Sequence, residues 1–142
     1  MISLFKQYEG VFDKEESEET SDTKDKKYRY SPFALQDAIG GANVKNIWIE
    51  YQKLILSGII PDEIIYNIIS KVRDMVFISK GASVSDLGIK DYPYNKSKRD
   101  LKNWGINELE VFYEKTLDAL FEARQGKVDL GVSIEKILLS LK

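Results

Sequence analysis

The stretch from Ser31 to Lys80 leaves this chain little choice of fold. Three apolar patterns of helical period follow one another there, divided by Gly40-Gly41 and Gly58 and closed by Gly81. Ser31 suits an N-cap, and Pro32 suits the first helical position, where its missing N–H has no partner to lose. Phe33, Ala34, Leu35, Ala38 and Ile39 then make a short apolar face. The next segment spaces Val44, Ile47, Trp48, Tyr51 and Ile55 by three and four, the repeat of one helix side, with Trp48 expected in the core. Gly58 stands where a C′ glycine belongs. Pro61 opens a longer helix with Ile64, Ile65, Ile68, Ile69, Val72, Met75 and Val76 on one broad stripe. Helices joined by loops this short pack antiparallel to one another.

The flanks differ from this centre. Residues 1–12 hold a small apolar cluster of Ile2, Leu4, Phe5, Tyr8, Val11 and Phe12 without a strong period. Residues 13–27 carry seven acids, four lysines, four Ser/Thr and no apolar side chain, a net charge of −3. Such a stretch buries too little to offset its ordering entropy and reads as a disordered acidic linker. Residues 28–142 hold sixteen bases and fifteen acids, so this part is near neutral and unlike a protein that coats nucleic acid. Beyond Gly81, Ala82 to Asp91 reads as a loop with room for one helical turn, and Pro93 as a helix start. The segment Asn95–Asn103 is polar and basic, with Tyr94, Leu101 and Trp104 as its apolar face. Asn107 and Glu110 have capping-box spacing ahead of a long helix that turns Leu109, Phe112, Leu117, Leu120 and Phe121 inward. Gly126 closes it, and Asp129 caps a last helix with Ile134, Ile137, Leu138 and Leu141 inside. No strand-like alternation of useful length occurs. The expected architecture is an all-α bundle of about five or six helices in residues 28–142, one domain of the 142-residue chain.

Composition narrows the chemistry. The chain has no cysteine and no histidine, which removes disulfides, thiolate and imidazole metal sites, and histidine-based triads. No glycine-rich phosphate loop precedes a helix; Gly40-Gly41 follows one and lacks a Lys-Ser/Thr pair behind it. No activity of its own, no cofactor and no catalytic residue is expected. No apolar run is long enough for a bilayer and no signal peptide is visible, so the expected setting is the cytoplasm, without a membrane partner.

In order along the chain, several motifs resemble one family. Phe33-Ala-Leu-Gln-Asp-Ala-Ile39 resembles the opening helix of the C-terminal domain of the bacterial DNA polymerase III delta subunit, part of the sliding-clamp loader. The helix ending at Gly58 followed by Pro61 fits that pattern. So do Lys71-Val-Arg-Asp-Met-Val-Phe-Ile-Ser-Lys80, with Arg73 and Lys80 in place, then Leu87-Gly-Ile89 and Pro93-Tyr94. Arg124-Gln-Gly-Lys-Val-Asp129 and Ile134-Glu-Lys-Ile-Leu-Leu-Ser-Leu141 resemble its last two helices. The segment Asn95–Leu101 departs from the family in being shorter and more polar. The thirty-odd residues ahead of the helices are too few for either of the family's N-terminal domains, where its clamp-opening surface lies. The resemblance therefore implies the collar role in DNA replication: a non-catalytic module that packs against other clamp-loader subunits. The other reading is a free-standing helical nucleic-acid-binding or adaptor domain.

Three sets of residues are candidate sites. Tyr66, Phe77 and Ile78 lie off the main isoleucine stripe and are expected at the subunit interface. Lys96, Lys98, Arg99 and Lys102, flanked by Tyr92, Tyr94 and Trp104, offer phosphate neutralisation and stacking for DNA. The plainer reading is a polar helix pinned to the core by its aromatics. Ser3, Leu4 and Phe5 match a short peptide with which bacterial replication proteins bind the sliding clamp, whose usual form is Gln-Leu-Ser/Asp-Leu-Phe; Met1 replaces the Gln. Otherwise this apolar cluster covers the bundle or is a frayed end. Glu110, Glu114, Asp118 and Glu122 recur every four residues, which suits a solvated face or a rim against a basic partner better than a cation site.

Overall fold

The computed structural model describes residues 31–141. Residues 1–12, the acidic stretch 13–27 and the proposed clamp peptide Ser3, Leu4 and Phe5 lie outside the described residues. The rest is all-α: α1 Pro32–Gly40, α2 Val44–Leu56, α3 Pro61–Ser79, α4 Val84–Leu87, α5 Asp91–Asp100, a 3₁₀ turn Leu101–Asn103, α6 Ile106–Arg124 and α7 Leu130–Leu139.

Local chemistry sets these boundaries. The Ser31 hydroxyl accepts from the Phe33 N–H, Asn43 Oδ1 from the Asn46 N–H, and Asp129 Oδ1 from the Val132 N–H, so three helices start on side-chain caps. α4 starts on a reciprocal pair in which the Ser83 hydroxyl accepts from the Asp86 N–H and Asp86 accepts from the Ser83 N–H. Donation from the Ser83 N–H holds the Asp86 carboxyl below its ordinary pKa. Three of the helix ends share one device. After α2, Gly58 takes φ +84°, and the Ile59 N–H turns back to the Leu54 carbonyl at 3.0 Å. The same 6→1 bond runs from Ala82 to Phe77 after α3 and from Lys127 to Glu122 after α6.

α3 is the hub, packed against α1, α2, α5, α6 and α7. Its buried Ile64, Ile65, Ile68, Ile69, Val72, Met75 and Val76 are the expected stripe. Leu35 and Ile39 of α1, Ile47, Tyr51 and Leu54 of α2, Leu109 and Phe112 of α6, and Ile134 and Leu138 of α7 complete the core. Trp104 stacks on Phe112 with ring centroids 5.5 Å apart and donates its indole N–H to the Ile39 carbonyl at 2.8 Å.

The structure corrects several expectations. α6 begins at Ile106 behind Gly105, without the Asn107–Glu110 cap. Its inward side is Leu109, Phe112, Thr116 and Ala119, so Leu117 and Phe121 turn outward. Thr116 is tolerated in the core because its hydroxyl donates to the Tyr113 carbonyl at 2.6 Å. Trp48 is half-buried rather than enclosed, tilted against Tyr51. Phe33 is exposed, because Leu35 and Ile39 carry the inner side of α1. α5 starts four residues before Asn95, and Pro93 sits inside its first turn.

Removing Phe112 by substitution with Ala should lower stability by about 3–5 kcal/mol, the range for large buried aromatics. Trp48→Ala should cost less, because solvent already reaches that ring. Urea unfolding of the two variants gives the order.

Burial pushes the Tyr51 phenol up to about 12, with Glu135 and Asp129 adding to the shift. An unfolded tyrosine ionises near pH 10, so the folded state holds this proton more tightly. The resulting stability is fully present below pH ~10 and is lost as pH rises toward ~12. Tyr51→Phe should flatten that alkaline decline relative to the parent in chemical denaturation across this window.

Candidate functional site

Two surfaces come from the way α3 is surrounded. The first lies over the antiparallel pair α3 and α6. Arg124 of α6 sits 5.7 Å from the centroid of the Tyr66 ring and hydrogen-bonds its hydroxyl. Phe77 meets Tyr113 edge to face with centroids 6.4 Å apart. Lys80 pairs with Glu110 at 3.2 Å. These contacts share one register, which sets Arg73 across from Leu117. The outcome is a strip of Tyr66, Phe77, Leu117 and Phe121, exposed by 48%, 39%, 39% and 63%, edged by Arg73 and Arg124.

The candidate interface residues divide here. Tyr66 and Phe77 belong to the strip, whereas Ile78 is only 6% exposed. Ile78 is therefore corrected: one residue further round the helix turns it toward the interior. Leu117 and Phe121 take its place on the surface, and the inward assignment of α6 had hidden them.

The acidic series of α6 does not act as a unit. Glu110 is engaged by Lys80, while Glu114, Asp118 and Glu122 face solvent. Among the described residues no group of side chains is placed to hold a metal ion.

The second surface is the edge made by α5. Lys71 of α3 is buried, and its ammonium donates to Asp100 Oδ2 at 2.9 Å and to Ser97 Oγ at 3.1 Å. Serine beside lysine is a nucleophile–base pattern in other settings. Here the lysine donates to the serine and is committed to a carboxylate, so the group is a tie between α3 and α5. α1 closes on the same point. Asn103 Nδ2 donates to the Gly40 carbonyl at 2.9 Å, and a Cβ at Gly40 would fall inside the Asp100 carboxylate.

This tie splits the basic segment. Lys96 faces inward, 3.5 Å from Asp37 and 3.8 Å from Asp100. Lys98, Arg99 and Lys102 are exposed on the opposite side. Tyr94 is fixed by donation of its hydroxyl to the Ala82 carbonyl at 2.8 Å, and Trp104 is half-buried in the core, so neither is available for stacking. Tyr92 remains exposed.

The Lys71–Ser97–Asp100 group was missed from the sequence, because 26 and 29 residues separate its members. A signal existed: Lys71 falls three residues after Ile68 and four before Met75, in the middle of the core stripe.

Gly40→Ala should destabilise by about 1–3 kcal/mol, as overpacking does. Breaking the ion pair with Asp100→Ala should cost on the order of 3 kcal/mol. In the double variant the Gly40→Ala cost should largely vanish, because the obstructing carboxylate is gone. A double-mutant cycle in urea measures this coupling.

Compared with known proteins, the chain matches no family model, no curated protein sequence and no solved structure.

Proposed function

We propose that this chain is a non-catalytic, helical assembly module of the clamp-loader collar type, acting in DNA replication by docking its α3–α6 strip onto another loader subunit. The observation that carries this reading is the strip itself. Two aromatics of α3 and two large apolar residues of α6 share one continuous outer surface, while both helices have separate, fully used inner sides. Aromatic anchors with arginine at the edge are the residue types that dominate binding energy at protein interfaces. The resemblance to the polymerase III delta subunit supplies the partner class. Its motif residues Arg73 and Lys80 both fall on this outer side of α3, next to Phe77.

The nucleic-acid reading keeps one supporting observation, the shared outward face of Lys98, Arg99 and Lys102. Acids dilute it, since Asp91 is exposed on the same helix.

Size-exclusion chromatography with reconstituted clamp-loader subunits tests the proposal. The chain should co-elute with loader subunits and hydrolyse no ATP alone. A Phe77→Ser/Phe121→Ser variant, altered only at exposed positions, should bind at least about tenfold more weakly, the usual loss for interface anchors. A chain that ignores every loader subunit overturns the reading, and co-elution with DNA alone favours the basic edge of α5.

A further inference from the structure

A cleft of 450 Å³ opens between α1, α3 and α5, a volume in the range of small-molecule sites. Phe33 of α1 and Tyr92 of α5 line it, exposed by 64% and 71%. Two flat rings on different helices give a flat ligand faces to stack on. The floor is polar and only partly satisfied. Ser97 is buried, and its hydroxyl accepts from Lys71 but donates to no acceptor among the described residues. Asp74 is buried, and its Oδ1 accepts both bonds from Arg73, which leaves Oδ2 without one. The Lys96 ammonium lies 3.5 Å from Asp37 and 3.8 Å from Asp100, yet it donates a hydrogen bond to neither. Spare donors at Lys96 and Ser97 therefore stand beside a spare acceptor at Asp74.

Charge decides the class of ligand. The lining carries Asp37 and Asp74 as well as Lys71, Lys90 and Lys96. All of these except Lys90 sit in ion pairs among the described residues. An anion laid on the floor meets carboxylates, and a cation meets ammonium groups. A neutral edge that carries both donors and acceptors meets neither, and it satisfies polar groups that are otherwise left unbonded. We propose that the cleft binds a flat, neutral heteroaromatic ring of the nucleobase class. Its faces lie against Phe33 and Tyr92, and its hydrogen-bonding edge lies on Lys96, Ser97 and Asp74.

Lys90, exposed on the same lining, tolerates one negative charge carried outside the ring, as on a nucleotide. A free nucleoside and an unpaired base of a strand present this same chemistry, and the test separates them. The inference does not rest on the assembly reading, because Tyr66, Phe77, Leu117 and Phe121 of the strip lie outside the cleft lining.

Amide spectra of the full-length protein, titrated with adenosine, cytidine and thymidine to low millimolar concentrations, test this. At least one nucleoside should shift Phe33, Asp74, Tyr92 and Ser97 and leave Val132 and Leu139 of α7 in place. Phe33→Ala/Tyr92→Ala, altered only at exposed positions, should weaken that binding about tenfold or more, the usual loss when a base loses its stacking partners. Asp74→Asn keeps a carbonyl for Arg73 and turns a donor toward the cleft, so it should change the order of preference among the three bases. A short oligonucleotide of the preferred base that shifts the same residues at much lower concentration assigns the ring to a strand, and equal affinity assigns it to a free nucleoside. Either result supports the site. No shift with any nucleoside, shifts spread over all helices or confined to the α3–α6 strip, or tighter binding of benzoate, a flat anion, overturns the proposal. So does unchanged binding in the Phe33→Ala/Tyr92→Ala chain or an unchanged order in Asp74→Asn.

Discussion

A lysine in the middle of a core stripe sets the terms for this bundle. The Lys71 ammonium cannot lose its water without a counter-charge, and a buried pair holds only when geometry and further hydrogen bonds satisfy both ions. Asp100 and Ser97 meet that need, which turns their side of α5 inward. The consequences spread. Asp100 occupies the space where a side chain at position 40 would stand, so α1 must end there in glycine. Asn103 and Trp104, just beyond α5, then bond the last carbonyls of α1. One ion pair thus sets the orientation of α5 and the close approach of three helices. By the same rotation it sends Lys98, Arg99 and Lys102 to solvent.

The hub position of α3 still leaves one line of the helix uncovered. A helix touched by five others would be expected to spend its whole circumference on the core. α3 does not, because Tyr66, Arg73 and Phe77 fall along one line at intervals of seven and four residues, outside the isoleucine arc. α6 repeats the arrangement with Leu117 and Phe121. The ring contact between Phe77 and Tyr113 and the bond between Arg124 and Tyr66 hold two of the strip's four side chains in place. Preorganised aromatic surface of this kind loses little conformational entropy on binding.

The sequence by itself determined the helical class, most helix ends and the central apolar stripe. Those features depend on residues close together in the chain. Caps at Ser31 and Asp129, prolines at helix starts and glycines taking φ near +80° act within one turn, and a period of 3.6 is visible wherever apolar residues recur. The same local logic misplaced the start of α6, because Asn107 and Glu110 have the spacing of a cap while Gly105 already lets the helix begin. A wide apolar arc also admits more than one rotation, which is why Leu117 and Phe121 read as core and Ile78 as surface. Only the tertiary structure decided which part of each arc the neighbours cover. It alone brought Lys71 to Ser97 and Asp100 across 26 and 29 residues, paired Phe77 with Tyr113, and separated Lys96 from the other bases. Burial and charge pairing between distant segments are set by packing geometry, and no periodicity within one helix carries that information.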